Sequence, residues 1–185
     1  MIGKNGKWTL ELWHDTSFRP VFGAIGSEPI LICLLNAVFI EAELPLVKEI
    51  VYVNPHQFGD SNNSRETILD ILVVDETGRQ INVEMQSQSQ EGYLERTICY
   101  LTRLYSSQYK TGVLYKNLKP ALSISFVRFP IWDEKPDVWF ERVTFAGIET
   151  ARSVDALKII NVRVPERASA SKGSKPRFYE IGPTQ

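Results

Sequence analysis

Histidine and cysteine are scarce in this sequence, with two of each among 185 residues. His14 and His56 stand alone, and neither Cys33 nor Cys99 has a neighbour at CxxC spacing, so a structural zinc site is not expected. Both cysteines fall inside apolar helical patterns, which predicts reduced core thiols in a cytoplasmic protein. An excess of one charge is lacking too. Lysine and arginine number 21 against 22 acidic residues, so no global positive field draws the chain to nucleic acid. Any surface for a polyanion has to be local. Long hydrophobic runs are missing as well. The longest, residues 29–40, contains Asn36 and falls short of the ~20 residues that span a bilayer. It reads as a buried helix with Ser27 as its N-cap and Pro29 in its first turn. Neither a secretory leader nor a membrane partner is expected. What is plentiful is hydrophobic side chain, 43 % of the total, which suits one domain with a sizeable core.

Two acids stand in apolar surroundings. Residues 68–86 read ILDILVVDETGRQINVEMQ, two β-type runs joined by a turn. Residues 67–75 are β-branched and long enough for a buried strand, and residues 80–86 alternate apolar and polar. Glu76-Thr77-Gly78, with Gly78 in the left-handed position, makes a three-residue hairpin loop. That loop sets Asp75 opposite Arg79, and counting back along both strands sets Asp70 opposite Glu84. Gln86 shares the face of Glu84, and Ile68, Leu72 and Val74 share the face of Asp70. Directly opposed residues have Cβ atoms ~4.5–5.5 Å apart, and like charges there destabilise a sheet. Burying two like charges side by side needs compensation. A divalent cation supplies it, and Mg²⁺ suits one or two carboxylates completed by waters and substrate phosphates. The plainer reading is a solvent-facing hairpin whose acids only solvate it.

Around this hairpin the chain reads as α/β. Residues 15–23 form a short helix ending at glycine, residues 49–54 a strand and residues 56–64 a polar loop. A long helix is predicted over 91–118, with Leu94, Ile98, Leu101, Tyr105, Gln108 and Gly112 on one side. Arg96, Tyr100, Arg103, Ser107 and Lys110 fall on the other. Within 91–119, Arg96, Arg103, Lys110, Lys116 and Lys119 face only two acids, Glu91 and Glu95. Such a stripe is either an ordinary solvated face or a contact for a phosphate backbone. Strands follow over 121–129, 138–145 and 157–164. The domain reading is an N-terminal extension over 1–14, one domain over 15–165, and a disordered or poorly packed basic tail over 166–185.

The order helix, strand, acidic hairpin, long helix, strand resembles the αβββαβ core of the PD-(D/E)XK nuclease superfamily, a restriction-endonuclease-like mixed sheet flanked by helices. The signature acids match Asp70 and Glu84, with Gln86 where the superfamily carries lysine. That D…ExQ variant is similar to the recombination-promoting nuclease/transposase family (Rpn). DTSFRPVFG, LLNAVF, RETILDILVVD, INVEMQ and the run from YLERTICYL to LSISF extend the resemblance over residues 15–164. Arg19 and Arg65 stand where the family has lysine, with charge kept.

The resemblance implies a metal-dependent DNA endonuclease. Asp70, Glu84 and the Met85 carbonyl would bind Mg²⁺, with Mn²⁺ or Ca²⁺ as alternatives, and Gln86 would orient water. Arg96 and Tyr100 would line the site, Arg96 pairing with Glu84 or holding a phosphate. Arg65, Arg103 and Lys110 are further DNA-contact candidates, and Asp15 matches an acid of the family's opening motif or serves as a helix N-cap. The expected partners are DNA and, as an option, a second copy of the chain in a homodimer. Family members continue past this point with further helices, so the alternative is a shortened, inactive copy acting as a DNA-binding or regulatory protein. A toxin-like or structural protein using the fold without metal is the third class.

Overall fold

The computed structural model describes residues 14–54 and 70–164. Arg65, the strand residues expected at 67–69 and the 166–185 tail lie outside them. Among the described residues the chain runs α1 (Asp15–Phe22), α2 (Glu28–Glu41), β1 (Ile50–Val53), β2 (Ile71–Asp75), β3 (Gln80–Gln86), α3 (Tyr93–Ser106), β4 (Ala121–Val127), β5 (Phe140–Ala146) and β6 (Ser153–Arg163). The expected αβββαβ order is α2 through β4. The strands form one mixed sheet in the order β1-β2-β3-β4-β6-β5. β1, β2 and β3 pair antiparallel, β4 lies parallel to both β3 and β6, and β5 returns antiparallel to β6.

The sheet is covered on both faces. On one, Leu31, Leu35, Val38 and Phe39 form the buried stripe of α2 at helical spacing. They pack with Phe18 and Phe22 of α1 against Ile71, Val73, Ile81, Val83, Ile124 and Ile160. Asn36, the polar break in that apolar run, has its own task. Its amide donates to the Val47 carbonyl at 2.9 Å and accepts from the Val47 amide at 2.8 Å, tying down the chain that enters β1. Gly23 closes α1 against the sheet, where a Cβ would sit 2.9 Å from the Arg19 carbonyl and 3.1 Å from Ile71 Cγ1. The other face holds Leu72, Ala121 and Ile159 under Leu101 and Leu104 of α3.

Four expectations are corrected. The long helix stops at Ser106 rather than Leu118. Ser106 and Ser107 turn their hydroxyls back onto the Arg103 and Leu104 carbonyls, and Gly112 takes φ +88° in the chain that follows. Gln108 then holds the backbone of Lys119 through two 2.9 Å hydrogen bonds. The buried side of α3 is Tyr93, Thr97, Leu101 and Leu104, while Ile98 is exposed. Hydropathy hid Thr97, which lies on the buried face with its hydroxyl satisfied by the Tyr93 carbonyl at 3.0 Å. Both cysteines are exposed, so neither is a core thiol. The N-cap of α1 is His14, with Asp15 one position inside the helix.

Candidate active site

The β2–β3 turn decides which side chains meet. Asp75 organises it: Oδ1 accepts from the Thr77 amide at 2.9 Å, the Thr77 hydroxyl at 2.7 Å and the Arg79 amide at 3.0 Å. Its other oxygen pairs with Arg79 Nε. Arg79 is fastened in turn to the Pro45 carbonyl at 3.1 Å and lies 5.0 Å from the centroid of the Phe39 ring. Gly78 takes φ +86°, the left-handed conformation the turn requires.

With the turn set, the ladder pairs Ile71 with Val83, Leu72 with Asn82 and Val73 with Ile81. One step beyond Ile71 and Val83, the same register brings Asp70 level with Glu84. Asp70 sits just past the end of β2, where its Oδ2 accepts from the Met85 amide at 3.2 Å. Asp70, Glu84, Met85, Gln86, Gln90, Arg96 and Tyr100 line one cleft of about 250 Å³.

The electrostatics of the cleft centre on Glu84. It is buried at 7 % exposure, and its Oε1 accepts from Asn82 Nδ2 at 2.8 Å. Burial raises its carboxyl above the ordinary glutamate range, and the charge of Asp70 raises it further; the Asn82 hydrogen bond and Arg96 act the other way. Arg96 does not pair with Glu84 directly. Its guanidinium donates to Gln86 Oε1 at 3.0 Å and to Gln90 Oε1, and it acts on Glu84 through space. Gln86 also donates to the Gln88 carbonyl at 2.9 Å, so its amide is held at both ends. Tyr93, on the first turn of α3, donates to Asn161 Oδ1 at 2.8 Å. Burial pushes its hydroxyl up to about 12, so it stays a neutral donor at working pH.

A cation suits this donor set. Two neighbouring carboxylates, one of them raised in pKa by burial and then by the charge of the other, are the combination a positive charge relieves. Among the described residues no three His, Cys, Asp or Glu side chains gather into a metal cage.

Not every candidate residue joins the cleft. Arg103 is exposed in the last turn of α3, and Lys110 is exposed in the chain beyond it, so neither lines the cleft. Arg65 lies outside the described residues. Sequence reasoning missed Gln90, which follows β3 and helps hold Arg96, and Asn82, whose amide donates to Glu84. Asn82 had a signal in its spacing, two residues before Glu84 on the same strand face.

No helix among the described residues is long and apolar enough to cross a membrane. No curated protein and no solved structure matches the chain. A family model does, over residues 12–176, most of the chain and the whole of the cleft just described. With a mixed α/β sheet that carries Glu84-Met85-Gln86 on β3 and Asp70 immediately before β2, the chain belongs to the PD-(D/E)XK nuclease family transposases.

Proposed function

We propose that the chain is a metal-dependent DNA endonuclease that hydrolyses phosphodiester bonds at the Asp70–Glu84 cleft. The observation that carries this reading is the register, which levels the two carboxylates at a cleft that also holds an arginine. Asp70 and Glu84 would hold the divalent cation, with the Met85 carbonyl as a further donor; Mg²⁺ is the first choice. When bound, that cation polarises the phosphate and lowers the pKa of a coordinated water.

The chain's own residues supply the remainder. Arg96, braced by Gln86 and Gln90, offers its guanidinium to a phosphate oxygen entering the cleft. Gln86 carries no charge and is no base; with its amide held by Arg96 and the Gln88 carbonyl, its remaining N–H would orient water by hydrogen bonding. Asn82 keeps one Glu84 oxygen occupied and would leave the other for the cation. Tyr100 bounds the cleft from α3.

The test is plasmid nicking by the purified full chain with and without Mg²⁺, beside Asp70→Ala. Cleavage that requires Mg²⁺ and disappears in the variant is expected. Equal nicking by Asp70→Ala would sink the assignment, and DNA binding without cleavage would favour an inactive DNA-binding protein.

A further inference from the structure

Parallel strands covered on both faces carry aliphatic side chains almost without break. Here the α1–α2 side obeys that rule and the α3 side does not. Asn82 and Glu84 of β3, Ser123 and Ser125 of β4, and Asn161 of β6 are all buried, and they alternate with the core residues of the opposite face. Register turns them into a row. Glu84 lies beside Ser125, and Ser125 lies beside Asn161; one step along the strands, Asn82 lies beside Ser123.

The ends of the row are anchored. Asn82 Nδ2 donates to Glu84 at 2.8 Å, and the Tyr93 hydroxyl of α3 donates to Asn161 Oδ1 at 2.8 Å. Between them, Asn82 Oδ1, Ser123 Oγ, Ser125 Oγ and Asn161 Nδ2 are buried without a well-formed hydrogen bond to any described residue. The Ser125 hydroxyl is close enough to Tyr93 to act on its acidity. Buried polar atoms in folded proteins find partners, and where protein supplies none, internal water does. Strands built only to pack would carry valine or isoleucine at these positions.

We propose that Asn82, Ser123, Ser125, Asn161 and Tyr93 form a water-bridged positioning row that fixes the Glu84 carboxylate in the orientation a divalent cation requires. This rests on the reading of Glu84 as a cation ligand given above. A carboxylate held by a single asparagine amide retains freedom to rotate. A row running through two further strands to α3 removes that freedom. None of the five residues touches the cation or the scissile phosphate; they act through Glu84.

Calorimetric titration of the full chain with Mn²⁺ tests the row without reference to cleavage. Ser125→Ala and Tyr93→Phe each delete one hydroxyl and little else, and the Phe ring keeps the edge-on packing of Tyr93 on Phe129. Each is expected to bind Mn²⁺ about 10-fold more weakly, the lower end of what outer-sphere partners contribute. The double variant should lose much less than the roughly 100-fold product, because both act through one row. Thermal unfolding in chelator checks that each variant is folded, and Tyr93→Phe carries the test if Ser125→Ala does not fold. Affinities within about twofold of wild type, in a range where real partners give 10-fold or more, overturn the row and leave the cation reading standing. Losses that multiply in the double variant also overturn it as a unit. A wild-type chain that takes up no Mn²⁺ overturns both.

Discussion

Replacing Asp75 with alanine should cost this protein more than any other single change in the β2–β3 turn. The Asp75 side chain is fully buried, and the Arg79 side chain beside it is 11 % exposed. Three donors converge on one carboxylate oxygen and Arg79 Nε takes the other. Breaking a buried pair by removing one partner costs ~3–5 kcal/mol, since the remaining charge is left uncompensated. Arg79 would keep the Pro45 carbonyl and the Phe39 ring, which trims that figure. The missing turn hydrogen bonds, at ~0.5–1.5 kcal/mol each, restore it, and about 4 kcal/mol is the net expectation. At a urea m-value of ~2 kcal/mol per molar, the midpoint falls by about 2 M. Asp75→Asn keeps an oxygen for the three turn donors and should lose roughly half as much. Asp75→Ala combined with Arg79→Met removes both charges together and should recover most of the loss. Urea unfolding followed by circular dichroism measures all three. A midpoint for Asp75→Ala within about 0.3 M of wild type at unchanged m would refute the reasoning. The turn would then hold its register without Asp75, and the alignment of Asp70 with Glu84 would need another cause.

Glu84→Gln should make the metal-free protein more stable at neutral pH. The folded-state carboxyl titrates above its unfolded value, so the folded chain holds that proton more tightly. Stability contributed by the protonated group is full below the ordinary glutamate range and is lost as pH rises from there through the raised folded-state value. Thermal midpoints in chelator should therefore show the advantage of Glu84→Gln widening between about pH 4 and pH 7; a gap that narrows instead would contradict the raised pKa. Arg103→Ala with Lys110→Ala, both outside the cleft, should weaken binding to duplex DNA of any sequence. The slope of log affinity against log salt should flatten by about 1 for each phosphate that is no longer neutralised. An unchanged slope returns both residues to an ordinary solvated surface. Gly78→Ala forces φ +86° on a residue with a Cβ, 3.1 Å from Lys119 Cγ. Lys119 is flexible enough to move, so the cost is the backbone's ~1–2 kcal/mol, read as a urea midpoint drop of about 0.5–1 M.

The hairpin was legible in the residues themselves because its information is local. A turn of known length sets register, and the two-residue side-chain period carries register to Asp70 and Glu84. The strands at β3 and β4 followed from patterns of the same short range, whereas the mixed sheet was implied only by the family resemblance. Tertiary structure alone decided the rest. Hydropathy placed Ile98 inside α3 and left Thr97 out, because it prices a threonine without knowing that the Tyr93 carbonyl lies one turn back to accept its hydroxyl. It placed Cys33 and Cys99 in the core because an apolar neighbourhood along the chain says nothing of which helix face meets the sheet. Arg96 and Gln90 meet because the chain turns between β3 and α3, and Glu84, Ser125, Asn161 and Tyr93 come together only when three strands and a helix from separate parts of the chain are laid side by side. Pattern along one strand determines which face a residue takes; what stands beside it on the next strand belongs to the fold.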